Sequence, residues 1–575
     1  MSVSPASRRA ERISRLPSDK RALFQQRVAE TYLYGVDHVA RSLSHLGFTH
    51  VYGVAGVPTE RIFAACDRRQ IRPLGVYHQT AAVCMAAAQN YQSGRLVAAT
   101  LVSAGPAVTN AITGLAVAYE NGWPAVVLGG RRTSFQECDL IPMVRHVTKH
   151  AVSVSSTDSI GKCICESYQI AMAGRPGPVY VELQESALAG RAVEEPIENA
   201  VKSPRSPLVS NELTESLADV LVSARRPALI LGKGVRWTVS TADLRDLVET
   251  LGLPFITSPM GRGFIPDDHP LCFNLARTDL QTRADVVLVL GARLNWMFRH
   301  GAEFRGDAHV IRVDIQDKNE DDTAVPTKLI HADAGDLVRR VLGALKRRHD
   351  VIASDERLQQ MKRWQTTLQD ASEQAQRSLE TRITCDNRPM TPYRMMKEVR
   401  DALPREAIFV ADGNISMLAA QQVIPAFLPA SRMDAGTNGC MGVGIPFAIG
   451  AKVTYPERPV VVVTGDYAFS LSAMELETCV RHQIPITVVV ANNQGNAGAL
   501  KQRAMFPAPD AERVTMFQPD LEYHQLMQMF GGQGKTITDP QLLKPALTEA
   551  ISSDLPCCIN VATDPNTPHL NAWVG

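Results

Sequence analysis

From about Tyr34 onward the chain alternates short runs of β-branched and aliphatic residues with amphipathic stretches, the pattern of parallel sheets covered by helices. Val51–Val54, Leu96–Val102 and Ala125–Leu128 predict buried strands, and Gly174-Arg175-Pro176-Gly177-Pro178 leads into another at Val179–Val181. The stretch Ser203-Pro204-Arg205-Ser206-Pro207 predicts a linker. A second alternating unit has strands at Ala228–Leu231, Val286–Leu290 and Val310–Asp314. Residues 347–378 are charged, Gln-rich and poor in β-branched residues, which predicts helices leading to a third unit. That unit starts near Pro392 and has strands at Ala407–Val410, Val460–Val463 and Ile486–Val490. The expected fold class is α/β, with three doubly wound parallel-sheet domains at 31–195, 208–346 and 386–575. An N-terminal extension (1–30) precedes them, and a helical connector (347–385) joins the last two.

Composition narrows the possibilities. At 575 residues the chain exceeds one hydrophobic core, so about two to four domains are expected. Sixty Lys and Arg against 59 Asp and Glu leave too little positive charge for a nucleic-acid binder, though not for a local basic pocket. The eleven cysteines are scattered, and neither Cys163/Cys165 nor Cys557-Cys558 has metal-ligand spacing, so reduced thiols in a cytoplasmic protein are expected. There is no apolar run long enough to span a membrane. The first 30 residues are Arg- and Ser-rich but lack an apolar signal core, and they carry Glu11 and Asp19. They predict a solvated extension in preference to a transit peptide.

The most specific local feature is Gly465-Asp466-Tyr467 after the Val460 strand, with Asn492-Asn493 ending the next. Asp466 and Asn493 are 27 positions apart, about one strand–helix–strand crossover. Both should therefore reach the carboxyl edge of one parallel sheet, where such folds bind ligands. A carboxylate, an amide oxygen and the carbonyl of Gly495 suit a hard cation such as Mg²⁺, which keeps further positions for diphosphate oxygens and water. The alternative is a strand-end Asp capping a helix beside a polar turn.

Gly-Asp-X followed one crossover later by Asn-Asn resembles the thiamine diphosphate-binding motif. Thr437-Asn438-Gly439-Cys440-Met441-Gly442-Val443-Gly444 is similar to the loop that holds the pyrimidine ring in that family, with Gly439 and Met441 against it. Asp412-Gly413-Asn414-Ile415-Ser416 resembles the loop that touches the diphosphate, and the resemblance implies Gly465, Tyr467, Ala468 and Asn493 as further cofactor-binding positions. The resemblance covers roughly residues 30–570. Gly105–Asn110, Phe135-Gln136-Glu137, Thr148-Lys149-His150 and Gly174–Pro178 look like the acetolactate synthase superfamily. Ser258–Gly263, Pro266–Pro270, Gly291–Trp296 and Asp466–Ser470 are most similar to 2-hydroxyacyl-CoA lyase and oxalyl-CoA decarboxylase. This resemblance implies a pyrimidine-binding first domain, a central nucleotide-type domain and a diphosphate-binding third domain. It also implies thiamine diphosphate and Mg²⁺ as cofactors, and active sites between subunits of a homodimer or homotetramer.

The chain departs from that pattern in three places. The relatives read His-Glu-Gln where this chain reads Tyr77-His78-Gln79-Thr80, so Gln79 takes the place of the glutamate that bonds the pyrimidine N1′. An amide hydrogen-bonds there but cannot exchange a proton as a carboxyl does. Losing an acid–base partner typically costs about 10² to 10⁴ in rate. Slow activation by design, substitution by a nearby carboxylate such as Glu120, and loss of catalysis all stay open. Asn493-Gln494-Gly495-Asn496-Ala497 lacks the tyrosine found in the CoA-processing relatives, and Gln494 is similar to the acetolactate synthases. Tyr467 stands where a small residue is usual, either lining the diphosphate pocket or packing against it. His78 keeps its family position, for proton transfer or for a hydrogen bond at a domain interface.

In the central domain Arg293 suits a phosphate, and Gly232-Lys233-Gly234 is too short for a dinucleotide fingerprint, which leaves FAD or ADP open there. The leading expectation is a carbon–carbon lyase or decarboxylase acting on a 2-hydroxyacyl- or oxalyl-CoA-type substrate. An acyloin-forming carboligase on 2-oxo acids is the main alternative, and a non-catalytic partner subunit is the third.

Overall fold

The computed structural model describes residues 32–133, 135–193, 209–317, 323–496 and 514–567, with the single positions 17 and 207. The expected N-terminal extension and most of the Pro-rich linker lie outside the described residues, as does Ala497.

Three α/β units follow one another. The first contains β1 (Tyr32–Tyr34), β2 (His50–Gly53), β3 (Arg72–Gly75), β4 (Ala98–Val102), β5 (Ala125–Arg131), β6 (His150–Val154), β7 (Pro178–Gln184) and β8 (Arg191–Val193). The second holds β9 (Pro227–Leu231), β10 (Phe255–Thr257), β11 (Val286–Leu290), β12 (His309–Asp314) and β13 (Thr327–His331). The third holds β14 (Ile408–Asp412), β15 (Arg432–Met433), β16 (Val460–Gly465), β17 (Thr487–Asn492), β18 (Gln533–Ile537) and β19 (Cys557–Ala562).

The sheet orders are β3-β2-β4-β5-β7-β6, β10-β9-β11-β12-β13 and β15-β14-β16-β17-β19-β18. Every pairing within these three sheets is parallel. Among the described residues β1 and β8 form a separate antiparallel ribbon. The first and third sheets share one topological order, a likeness that the hydrophobic pattern did not reveal.

The strands legible in the sequence are the buried ones. Val460–Val463 and Val286–Leu290 are inaccessible or nearly so, because helices cover both faces of a parallel sheet. Several edge strands escape pattern reading. β3 reads Arg-Pro-Leu-Gly, β15 has two residues, and β18 reads Gln-Gly-Lys-Thr-Ile.

Five helices position the site: α1 (Gln79–Ser93), α2 (Pro106–Asn121), α3 (Asp355–Ile383), α4 (Asn414–Val423) and α5 (Gly444–Thr454). The connector is mostly α3, capped by Ser354 accepting from Arg357 N–H. Met361, Trp364 and Leu368 pack it on the central domain, while Leu379 and Ile383 pack its last turns on the third. The Ala-rich α1 lies against α5 in one apolar core shared by the first and third domains. A Cβ at Gly450 of α5 would stand 2.4 Å from the Met85 carbonyl, so only glycine permits this approach. Trp123 stacks on Tyr91 at 4.6 Å and packs on Phe447 at 5.0 Å across the same boundary.

Candidate functional site

In the third sheet β14 neighbours β15 on one side and β16 on the other, and the carboxyl ends of β14, β16 and β17 open into a cavity of about 390 Å³. This is the switch-point crevice that an open parallel sheet offers to ligands. Gly413, Asn414 and Ile415 line it from the β14 end, Gly465, Asp466, Tyr467 and Ala468 from the β16 end, and Asn493 and Gly495 from beyond β17. Gly439 and Met441 complete it. Eleven positions singled out from sequence, far apart in the chain, thus share one cavity.

Asp466 is 2% exposed, and its carboxylate accepts from Tyr467 N–H at 2.8 Å and from Gly495 N–H at 2.9 Å. Burial pushes its pKa up to about 6, against the pull of the backbone N–H groups. The oxygen of the Asn493 amide stands 2.8 Å from the Gly495 carbonyl oxygen and 3.3 Å from Asp466 Oδ2. Turned over, the amide would donate from Nδ2 to both oxygens. In the orientation found, its oxygen gathers with those of Asp466 and Gly495 on one side, as the ligands of a hard cation do. Mg²⁺–oxygen bonds of about 2.0–2.1 Å put neighbouring oxygens of an octahedron about 2.9 Å apart, close to what is found. The donor set therefore fits Mg²⁺.

The two asparagines divide their work. Asn492 builds the turn, its Oδ1 accepting from Gln494 N–H at 3.1 Å and its Nδ2 donating to the Leu521 carbonyl at 3.0 Å. That leaves Asn493 to face Asp466. Tyr467 lines the cavity and also stacks on Phe517, with ring centres 5.9 Å apart.

Gly413, at φ +84, turns the chain into α4, whose first N–H groups face the cavity and suit an anion. At the far end of α4, Arg262 donates to the carbonyls of Gln421 and Ile424, and Arg432 to those of Ala420 and Ile424. Two cations at the negative end of the helix reinforce its orientation. Asp412 Oδ2 accepts from Gly444 N–H at 2.7 Å and Gly442 N–H at 3.1 Å, which pins the loop carrying Met441 to the end of β14. Asp412 entered the sequence reading only as the head of a motif; its role as a brace needed the fold.

The three first-domain candidates sit elsewhere in the chain. Gln79 starts α1, is partly buried, and accepts on Oε1 from Asn110 Nδ2 at 3.2 Å. His78 caps α1, its Nδ1 accepting from Thr80 N–H at 3.2 Å. Neither lines the third-domain cavity. Glu120 lies ten positions beyond Asn110 on α2, about 15 Å along the helix axis. There its carboxylate meets Arg293 of the central domain at 3.3 Å, so within the chain it is not beside Gln79. Sequence reasoning missed Glu475. It is 1% exposed, and its Oε1 accepts from Tyr77 and His78 N–H at 3.1 Å each.

A second cavity opens where the central sheet switches direction, at the carboxyl ends of β9 and β11. Lys233, Arg175 and Arg293 supply positive charge, with Asp314 at the end of β12 and Glu120 and Asp434 opposite. Burial lowers Lys233 to about 7. The glycines of Gly232-Lys233-Gly234 serve packing: a Cβ at Gly232 would stand 2.2 Å from the Gly291 carbonyl, and Gly234 N–H donates to it at 2.9 Å. The two cavities adjoin. Asn295 lines one and Trp296 the other, and Asn295 Nδ2 donates to Thr437 Oγ1 at 3.1 Å.

Known proteins resemble this chain along most of its length. The models of the N-terminal TPP binding, central and C-terminal TPP binding domains of thiamine pyrophosphate enzymes match residues 34–153, 214–341 and 412–561. A 2-hydroxyacyl-CoA lyase of Arabidopsis thaliana is 32% identical over 551 residues, covering 92% of this chain and 95% of the relative. An oxalyl-CoA decarboxylase of Escherichia coli K12 is 30% identical over 553 residues, with 92% and 95% covered. A probable acetolactate synthase of Mycobacterium bovis is 29% identical over 541 residues, with 92% and 96% covered.

Proposed function

The chain belongs to the thiamine pyrophosphate enzymes, and from that premise we propose a Mg²⁺-dependent enzyme that cleaves 2-hydroxyacyl- or oxalyl-CoA-type thioesters in a site shared by two copies of the chain. It is a thiamine diphosphate-dependent carbon–carbon lyase or decarboxylase. The bound cofactor supplies a carbon nucleophile and an electron sink. Asp466, Asn493 and Gly495 would hold the metal that neutralises the diphosphate charge. The start of α4 and the residues Gly413, Asn414 and Ile415 take the remaining diphosphate charge, with Gly465, Tyr467 and Ala468 opposite. Gly439 and Met441 border the pyrimidine ring.

The adjoining cavities carry the thioester reading. Coenzyme A is a long ligand with an adenosine diphosphate end, and the central cavity offers Lys233, Arg175 and Arg293 to phosphates and Asp314 to a ribose. Free ADP or FAD would use the same groups. Breaking the bond between C1 and C2 of a 2-hydroxyacyl-CoA gives an aldehyde and formyl-CoA; oxalyl-CoA gives CO₂ and formyl-CoA.

The homodimer or homotetramer proposed is supported by Gln79, which does not line its own chain's cavity and would meet the cofactor of a second copy. Exposed Tyr77, Leu471 and Met474 flank that region and suit burial between copies. The domain limits proposed are 31–195, 208–346 and 386–575, with the connector at 347–385. All eleven cysteines are free thiols, in keeping with a cytoplasmic protein, and no helix among the described residues is long and apolar enough to cross a membrane.

A second reading has its own support. Gln494 and the Mycobacterium bovis relative favour an acyloin-forming carboligase on 2-oxo acids. Incubating the holoenzyme with 2-hydroxyacyl-CoA, oxalyl-CoA and 2-oxo acids, and separating products by chromatography, decides between them. Formyl-CoA release supports the thioester reading; acyloin from free 2-oxo acids with inert thioesters removes it.

A further inference from the structure

Gln79 can face a pyrimidine N1′ in two ways, because a carboxamide is a donor on one side and an acceptor on the other. Asn110 Nδ2 donates to Gln79 Oε1 at 3.2 Å, which occupies the acceptor side. Among the described residues Gln79 Nε2 has no hydrogen-bond partner. The backbone of Asn110 is tied to α1, since Thr80 Oγ1 donates to its main-chain carbonyl at 2.5 Å and Thr80 N–H is held by the His78 ring. Glu475 adds a third restraint by binding the N–H groups of Tyr77 and His78. The first turn of α1 is thus anchored from two domains, and the amide of Gln79 is turned by one neighbour.

From this arrangement we infer that Asn110 is a positioning residue that turns Gln79 to present an N–H donor, and so holds N1′ in its unprotonated form. It rests on the reading that position 79 meets the cofactor of the partner copy. A donor from Gln79 satisfies the lone pair of neutral N1′ and opposes protonation there. A glutamate at this position does the reverse: as an acceptor it favours a proton on N1′. The substitution at 79 therefore does more than remove an acid–base group. Together with Asn110 it inverts the polarity of the contact, which gives a resting cofactor that loses its C2 proton slowly.

The inversion is reversible by a single change on a different helix. Asn110→Asp offers only acceptors, so Gln79 Nε2 must donate to it and Oε1 turns toward N1′. Two readouts on the holoenzyme follow: the ¹⁵N shift of N1′ in labelled thiamine diphosphate, and C2–H/D exchange by quenched flow. We expect the Asn110→Asp shift to move toward the protonated value and exchange to rise about 10-fold, the difference between a hydrogen bond of the wrong and the right sense. The same change with Gln79→Ala tests whether the new charge acts alone; the effect should vanish there. Gln79→Glu is the control for position 79 and should move both readouts.

The control separates the ways in which the inference can fail. If Gln79→Glu moves the shift and Asn110→Asp does not, the amide already faces N1′ with its oxygen, and the inference falls while the placement of Gln79 stands. If the Asn110→Asp effect persists with Gln79→Ala, it is simple electrostatics and the inference falls as well. If Gln79→Glu moves neither readout, position 79 does not meet N1′, and both go together.

Discussion

Glu475 in the third domain accepts a hydrogen bond from the backbone N–H of His78 in the first, at 3.1 Å, with both partners in one chain. The same oxygen accepts from Tyr77, and the other accepts from Thr478 Oγ1 at 2.7 Å. Burial raises the Glu475 pKa while these donors hold it down. One buried side chain thus joins the loop before Gln79 to the helix that follows Asp466.

Glu475→Ala leaves two part-buried backbone N–H groups without their acceptor, a loss of about 1 kcal/mol or more. We expect a lower melting temperature and slower C2 exchange, while Glu475→Gln, which keeps Oε1, should stay close to the parent on both. Calorimetry and quenched flow check this; a normal Glu475→Ala protein would mean the clamp is dispensable.

Asp466→Ala should weaken Mg²⁺-dependent thiamine diphosphate binding by at least ~100-fold, since a ligand is lost where changing only a supporting group costs about 10–100-fold. Titration calorimetry with and without chelator measures it. Tight binding by the variant would remove Asp466 from the metal site.

Glu120→Gln leaves Arg293 without its carboxylate partner. Cofactor binding and C2 exchange should not change, and ADP should bind about 2- to 5-fold tighter because a partly exposed pair is broken and a like charge is removed. Slower C2 exchange would instead return Glu120 to the reaction.

Burial pushes the Asp412 pKa from 3.8 up to about 6, although Gly444, Gly413, Gly442 and Val443 donate to it. The folded state holds this proton more tightly than the unfolded chain does. Its stabilising effect is therefore complete below about pH 3.8 and is lost as pH rises through about 6. Asp412→Asn removes this dependence. The melting temperature of the variant relative to the parent should improve between pH 4 and 6 and level off above; a constant difference would show that Asp412 titrates normally.

The order of domains and the cavity residues were legible because both depend on local chemistry. Buried parallel strands must be almost wholly apolar, so Val460–Val463 and Val286–Leu290 declared themselves. Asp466 and Asn493 are separated by one crossover, and in a parallel sheet that spacing by itself brings strand ends together. Edge strands such as β3 and β18 carry mixed residues and gave no signal. The partners of Glu120, Asp412 and Glu475 were equally silent, because a buried carboxylate is written the same way as an exposed one. Arg293 lies 173 positions from Glu120, and His78 lies 397 from Glu475. The sequence determined which groups this protein has and which of them a crossover must align. Only the tertiary structure decided which donor each carboxylate meets, because those contacts depend on how whole domains pack and no local pattern encodes that.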